Sequence, residues 1–380
     1  MAEKTFLNWP FFSEKHRVFA KNFTEYVNRL EIDHSDIDAA CRNLVTDLGE
    51  NGWLNITSGN KLDVRSLCLS REILAYHDGL ADFVFAMQGL GTGAISLFGT
   101  KEQKSTWLPL TKSGKVISAF ALTEPQSGSD VANSQMTAIK VGNEFVLNGK
   151  KTWISNGGIA DLYTVFARTG EAPKSKGLSA FIVPGDTKGL YISERQEVIS
   201  PHPLATVSFE DCRIPASNLI GLGGEGFKIA MSVLDVFRST VAAAALGFSR
   251  RALDEAINRV NERKIEGVSL FNFQLVQGHI AEMAVDIDAA ALLIYRAAWT
   301  KDQGVQRITR EAAMAKLFAT EQAQQIIDKA VQLFGGDGVR KGEKVEELYR
   351  DIRALRIYEG ATDIQKIVIA KQVMSSSRKN

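Results

Sequence analysis

Two changes in hydrophobic period decide what this chain can fold into. From Ser13 to Phe98 apolar residues return at helical spacing. Ile37, Cys41, Leu44, Val45 and Leu48 make one stripe, and Phe19, Phe23, Val27 and Leu30 another. Ser70 to Phe85 predicts a further helix, and Gly89-Leu-Gly-Thr-Gly93 opens the next, which closes at Phe98-Gly99. Leu108 to Gly114 reads as a boundary, and beyond it the period drops to two. Thr137 to Val141 and Glu144 to Leu147 flank Gly142-Asn143 as a hairpin. Tyr163 to Ala167, Leu178 to Val183, Leu190 to Ser193 and Thr206 to Phe209 are short β-branched or aromatic runs between Gly, Pro and Asp. Helical spacing returns at Phe227, first as one long helix through Leu246, Leu253, Ile257 and Val260, then over Leu275 to Asp302 and Thr309 to Phe334. A strand-period segment enclosed by helical ones predicts an α+β multidomain fold, mainly helical. Its parts are an N-terminal helical domain (1–119), a middle β-barrel or sandwich domain (120–225) and a C-terminal helical bundle (226–380). The polar tail Ser375 to Asn380 reads as frayed.

Composition excludes several classes. A formal net charge of +1 argues against electrostatic capture of nucleic acid or an anionic membrane as the main role. The longest uninterrupted apolar run, Val241 to Phe248, falls short of the roughly 18 residues that a membrane span needs. The opening Met1-Ala-Glu-Lys-Thr-Phe-Leu7 lacks the charged-then-apolar design of a signal peptide. Cys41, Cys68 and Cys212 are odd in number and scattered, against a disulfide framework, and the five histidines show no metal-type spacing. These features predict a cytoplasmic protein with no metal site, no nucleic-acid partner and no membrane insertion.

Three stretches carry candidate chemistry. In Leu355 to Ala370 one helix ends and another begins. Gly360 permits the break, Thr362 or Asp363 can cap the second helix, and Ile364, Ile367 and Val368 should face a core. Glu359 is left at the junction beside Ile357 and Tyr358, where a partly apolar crevice would raise its pKa and make it a base near neutral pH. By itself a Glu before a Gly is ordinarily a solvated turn residue. The second stretch, Phe120 to Asp130, offers Ser127-Gly-Ser129 as a nest for phosphate oxygens. In the third, Lys151 to Gly158, Trp153 and Ser155 would combine with Thr123 into a hydrogen-bonding and stacking wall for a planar heterocycle. A loop with ordinary turn chemistry and a core Trp explains the last two equally well. Gly221 to Gly226 also fits G-x-G-x-x-G, but a loop, Pro215 to Ile220, precedes it and no βαβ unit surrounds it, so a dinucleotide site is not supported.

Taken together, Thr123-Glu-Pro-x-x-Gly-Ser-Asp130, Trp153-Ile-Ser-Asn-Gly-Gly158, Gln332-Leu-Phe-Gly-Gly336 and Arg350-Asp-Ile-Arg-Ala-Leu-Arg-Ile-Tyr-Glu-Gly360 resemble the acyl-CoA dehydrogenase family in order and spacing. The likeness runs from about Ser13 to Ala370 and implies the architecture read above, its last domain a four-helix bundle.

The resemblance implies FAD as cofactor and α,β-dehydrogenation of an acyl-CoA thioester to the trans-2-enoyl-CoA. Glu359 would remove the α-proton as a hydride passes from Cβ to the flavin. Phe120, Leu122, Thr123, Gly128, Ser129, Trp153, Ile154 and Ser155 match flavin-holding positions, with Ser129 also touching the CoA portion. Arg263, Phe273, Gln274, Gln332, Leu333, Gly335 and Gly336 match the set that reaches a neighbouring subunit's FAD, and Thr362 and Asp363 stand on its adenosine side. Asp235, Arg238, Tyr358 and Gly360 match substrate-site positions. A homotetramer (a dimer of dimers) and an electron-transferring flavoprotein as electron acceptor are implied too. The chain departs from the pattern at Gly52 to Gly59, at Glu266 and at Ala361 to Asp363. Phe237 fills the helix position that carries the base in one branch of the family, and a phenyl ring cannot accept a proton. Residues 81–87 hold no arginine for the distal carboxylate of a dicarboxylyl-CoA. Two alternatives stay open: an acyl or aminoacyl thioester tethered to a carrier protein, and a non-catalytic flavoprotein scaffold of the same fold.

Overall fold

A computed structural model describes residues 5–170 and 172–377. The fold is α+β and mainly helical, with helices, then a sheet, then helices along the chain. Helices α1 (Glu14–Val27), α2 (Ile37–Glu50), α3 (Val64–His77), α4 (Gly79–Phe98) and α5 (Lys101–Lys112) come first. The strands are β1 (Ser118–Ala121), β2 (Thr137–Val141), β3 (Glu144–Ser155), β4 (Leu162–Arg168), β5 (Leu178–Pro184), β6 (Leu190–Arg195), β7 (Leu204–Pro215) and β8 (Leu219–Ile220). Helices α6 (Gly226–Glu262), α7 (Gln274–Asp302), α8 (Thr309–Phe334), α9 (Lys344–Leu355) and α10 (Thr362–Ser377) complete the chain, with a small two-stranded ribbon, Lys264–Ile265 against Val268–Ser269, between α6 and α7.

By its contacts the chain forms two compact units. One takes residues 1–30, 63–82 and 238–380, and the other residues 31–62 and 83–237. In the first, Asp63 caps α3 by accepting the Ser66 N–H (3.2 Å). His16, Asp63 and Asp302 converge there. Both carboxylates already face cations, Lys15 at 2.6 Å from Asp63 and Arg65 at 2.7 Å from Asp302. In the second unit the strands run in the order β6-β7-β3-β2-β4-β5-β8, with β1 parallel to β4. The alternating inward residues, among them Leu147, Ile154, Tyr163, Val165, Phe181, Val207 and Phe209, form one core.

Several expectations need correction. The helix foreseen over Ser70 to Phe85 breaks at Asp78, which turns extended and accepts the N–H groups of Leu80 and Ala81 (2.8 and 3.1 Å), so capping α4. The glycines at 89, 91 and 93 lie inside α4 rather than opening a helix. A Cβ on Gly89 would meet the Phe237 ring at 2.6 Å, and one on Gly91 the Ser118 hydroxyl at 2.5 Å, so these glycines admit close neighbours. Of the boundary foreseen from Leu108 to Gly114, residues 108–112 belong to α5, which carries Pro109, and Ser113 and Gly114 follow its end. Leu219 and Ile220, foreseen as loop, pair with Phe181 and Ala180. Helix α10 continues through Ser377, so the tail does not fray from Ser375, and residues 378–380 lie outside the described residues. Helices α4 and α6 are long and apolar enough to cross a membrane, but 83% and 89% of those stretches are buried in the fold, as in core helices. Cys41, Cys68 and Cys212 are buried, and none of them forms a disulfide among the described residues.

Candidate active site

In the first unit the chemistry gathers at the turn between α9 and α10. Helix α9 ends as the N–H groups of Ile357 and Tyr358 both bond the Ala354 carbonyl (2.9 and 3.1 Å). Gly360 takes φ +93°, as the sequence requires, and Glu359 before it is also left-handed at φ +52°. A non-glycine residue rarely holds that conformation, and such strain clusters at functional sites. The Glu359 N–H finds no backbone acceptor among the described residues, and Oε2 of its carboxylate is buried without a hydrogen-bond partner. Burial pushes the Glu359 carboxyl up, while Arg71, Arg238 and Lys316 pull it down and Asp82 adds to the rise.

Charged groups surround Glu359 in addition to the partly apolar crevice foreseen, of whose residues Ile357 is 57% and Tyr358 37% exposed. Arg71, from α3, is buried and bidentate to Asp82 on α4 (2.8 and 2.7 Å), and its third contact is the Thr240 hydroxyl (3.2 Å). Burial pushes the Asp82 carboxyl up against the pull of Arg71. A guanidinium that never deprotonates keeps the pair ionic. Arg238, foreseen in the substrate cleft, is buried and donates its Nε–H to the Glu359 carbonyl (3.2 Å). Lys316 Nζ donates to the Gly360 carbonyl (2.9 Å).

The start of α10 differs from its reading in sequence. Its first helical bond goes to the Ala361 carbonyl, and the Thr362 hydroxyl donates to Glu321, which also pairs with Arg356 (2.9 and 2.7 Å). Thr362 is thus a donor rather than a cap, and Asp363 is exposed beside Lys366 (3.4 Å). Of the three residues foreseen in a core, Ile364 and Val368 are half-buried and Ile367 is exposed, whereas Gln365 is fully buried. Its amide bonds the carbonyls of Glu359 (3.3 Å) and Gly360 (2.8 Å).

The second unit holds the residues foreseen as a wall for a planar ligand. The Thr152 N–H bonds the Thr123 carbonyl (2.9 Å), tying the loop after β1 to the end of β3. Pairing of β3 with β7 shifts register between Lys151 and Ile154, and within that bulge Trp153 is left-handed at φ +58° with 58% of its surface exposed. A bulge re-aims a side chain, and here it sets an indole outside the sheet. Half-buried Thr123 and Ser155 flank it, and neither hydroxyl bonds another described residue. Beneath the wall Lys151 is buried against Glu124 (2.8 Å) and the Leu122 carbonyl (3.0 Å), and burial pushes its ammonium down to about 8. Phe120 is half-buried and Leu122 buried, while Ile154 points into the sheet core and can serve a ligand only through its backbone. Ser127 cannot join a phosphate nest. Its N–H bonds the Glu124 carbonyl (3.0 Å) and its hydroxyl the Asp130 carbonyl (2.5 Å), which leaves exposed Gly128 and Ser129 at the tip. A flavin fits this set: an exposed ring to stack on, two uncommitted hydroxyls and an open glycine-containing loop.

Asp235 and Phe237 are buried on α6 in this unit, and the Phe237 ring rests against Gly89 and Gly93. In the first unit, Arg259 bonds the Phe334 carbonyl (3.0 Å) and Asp337 (2.8 Å), joining the C-terminal ends of α6 and α8. Arg263, Phe273, Gln274, Gln332, Gly335 and Gly336 are exposed near these ends, with Leu333 half-buried. Sequence reasoning missed Arg71, Asp82, Lys316 and Gln365. The signal was a charge inside an apolar helix, Arg71 amid Leu67, Leu69, Leu74 and Ala75, and Lys316 in Ala312-Ala-Met-Ala-Lys-Leu317.

Models of the acyl-CoA dehydrogenase N-terminal, middle and C-terminal domains match residues 12–115, 119–212 and 224–374. The short-chain specific acyl-CoA dehydrogenase of Sus scrofa mitochondria is 40% identical over 342 residues, 88% of this chain and 83% of that protein. A chain from a structural study of the electron transferring flavoprotein of Acidaminococcus fermentans superposes with a TM-score of 0.90 at 35% identity, covering 95% of this chain and 98% of that one. A glutaryl-CoA dehydrogenase of Mycobacterium smegmatis in complex with FADH2 gives 0.88 at 27% identity, covering 96% of each.

Proposed function

The chain belongs to the acyl-CoA dehydrogenase family of oxidoreductases, and on that premise we propose that it desaturates a short-chain acyl-CoA to the trans-2-enoyl-CoA. The observation that carries the reading is Glu359: a left-handed residue whose carboxylate has one oxygen buried and unpartnered beside three cations. A base must have an oxygen free to take a proton and a pKa within reach of neutrality. Glu359 has the free oxygen, and burial supplies the upward push. It would take the α-proton, and its own N–H, without a backbone acceptor, is suited to the thioester oxygen as negative charge develops there.

Thr123, Trp153 and Ser155, with Phe120, Leu122, Ile154, Gly128 and Ser129 around them, would hold FAD, which when bound supplies the acceptor for the hydride from Cβ. Ser129 would also meet the CoA portion, and Asp235, Arg238, Tyr358 and Gly360 would border the substrate. The exposed Arg263, Phe273, Gln274, Gln332, Gly335 and Gly336, with half-buried Leu333 among them, support contact with a neighbour's cofactor in a homotetramer, with Thr362 and Asp363 on the adenosine side. Arg263 suits a pyrophosphate because a guanidinium binds two oxygens at once. An electron-transferring flavoprotein would take the electrons, in the cytoplasm.

Anaerobic titration of the flavin-loaded protein with straight, branched and cyclic acyl-CoAs, and with the same groups on a carrier protein, tests the reading. Bleaching by short straight-chain CoA thioesters is the expected result. Bleaching by carrier-bound substrate alone would assign the carrier-protein reaction, and a yellow protein that no thioester bleaches would make it a scaffold.

A further inference from the structure

One backbone bond, from the Thr362 N–H to the Arg356 carbonyl (3.1 Å), closes the turn that carries Glu359, and it leaves the carbonyls of Glu359 and Gly360 to other partners. Two successive left-handed residues are an unfavourable pair, and Glu359 lacks the freedom that glycine gives Gly360. Beyond that bond, side-chain donors from three different helices hold the carbonyls of Glu359 and Gly360. Arg238 on α6 reaches the Glu359 carbonyl. Gln365 on α10 reaches both carbonyls, and Lys316 on α8 reaches that of Gly360. A Cβ on Gly360 would lie 2.3 Å from the Gln365 amide nitrogen, so the glycine also makes room for its own clamp.

Two of these donors are costly choices. Lys316 and Gln365 both have 0% of their surface exposed. An ammonium is expensive to bury without a carboxylate at hydrogen-bond distance, and the acceptor seen for Lys316 is a backbone carbonyl. Burial pushes the Lys316 ammonium down to about 8, against the pull of Glu359 and Glu321 and with the help of Arg238 and Arg356. Fixing the carbonyl of residue 359 fixes ψ there, and with it the direction in which the carboxylate leaves the backbone.

We propose that Lys316 and Gln365 are positioning residues for the base: together they hold the carbonyls of the Glu359–Gly360 turn, and Lys316 also provides a positive charge beside the carboxylate. This rests on the reading of Glu359 as the base. The charged and titratable groups that face Glu359 are Arg71 from α3, Asp82 from α4, Arg238 from α6, Lys316 from α8 and its neighbour Tyr358. Removing Lys316 takes away one of three cations and leaves Asp82 in place.

The test is single-turnover flavin reduction by a saturating acyl-CoA in Lys316→Met and Gln365→Leu, each alone and combined with Glu359→Gln. Misplacing a reacting group by about 1 Å can cost on the order of 10²-fold, so each single variant should slow reduction by about 10- to 100-fold with flavin content and thioester affinity close to the parent. Lys316→Met should also move the acidic midpoint of the pH–rate profile upward, a shift that a purely structural lysine would not produce. On the Glu359→Gln background neither substitution should slow the reaction further. A parent-like rate and midpoint in Lys316→Met, with Glu359→Gln inactive, overturns the positioning role and leaves the base assignment standing. A parent-like rate in Glu359→Gln overturns the base assignment itself. Loss of flavin or of folding in both single variants overturns the proposal as well, making the two residues supports of the fold.

Discussion

Asp82→Asn probes the electrostatics beneath the base. Arg71 and Asp82 are both buried, and two hydrogen bonds of 2.8 and 2.7 Å join them. The substitution preserves shape but leaves the guanidinium without a counter-charge. Removing one partner of a buried pair costs about 3–5 kcal/mol, because the other charge stays behind. The unit that holds the pair has about 190 residues, a size at which 1 kcal/mol moves Tm by about 2–4 °C. The melt, followed by circular dichroism on the flavin-loaded protein, should therefore fall by roughly 6–20 °C. A second readout has a definite sign. In the parent Asp82 pushes the Glu359 carboxyl up, and Arg71 pulls it down. Without Asp82 the pull of Arg71 is unopposed, Glu359 ionises at lower pH, and the acidic limb of the flavin-reduction profile moves to lower pH. A melt within about 2 °C of the parent together with an unmoved limb would refute the argument, since the pair would then neither stabilise the unit nor reach the base.

Two further substitutions address the turn and the flavin wall. Gly360→Ala forces a Cβ into a φ of +93° and against the Gln365 amide, so about 1–2 kcal/mol of backbone strain adds to about 0.5–1.5 for each of two lost hydrogen bonds. Its melt and its flavin-reduction rate should fall together, and an unchanged rate would mean that the turn tolerates movement. Lys151→Met strands the buried Glu124 carboxylate, which also accepts the N–H groups of Gln135 (2.6 Å) and Met136 (3.1 Å), so the loop carrying Thr123 should loosen. The flavin-to-protein ratio after gel filtration should drop, and full retention of flavin would show that the Lys151–Glu124 pair does not support the wall.

Much of the architecture could be read from period alone, because the sheet and helix patterns differ wherever one face is buried. Glu144 to Leu147 announced the start of β3, which runs on to Ser155, and Thr309 to Phe334 announced α8 to the residue. What periodicity could not convey was exchange between elements. Gly89, Gly91 and Gly93 look like helix breakers until Phe237 and Ser118 are seen filling the space they leave. Asp78 ends one helix and starts another through its side chain, which a stripe of apolar residues does not record. At the site, the motif residues Trp153, Glu359 and Gly360 were visible in sequence, but the left-handed backbone of Trp153 and Glu359 was not, since neither type favours it. The charged shell was hidden for a related reason. Arg71 and Asp82 come from consecutive helices and Lys316 from one far along the chain, and only folding turns their burial into a field on one carboxylate. Gln365 was passed over in favour of Ile367, because helical patterns are scored on apolar residues and this turn is held by an amide.

The central claim is that Glu359 removes a proton, and rapid-mixing reduction of the flavin by a thioester that the parent accepts measures that step most directly. Glu359→Gln keeps the size of the side chain and removes the base. Reduction should slow by at least roughly 10²–10⁴-fold, the usual consequence of losing a general base, while flavin content stays at the parent level because the carboxylate is not among the residues proposed to hold FAD. Reduction at close to the parent rate would contradict the account.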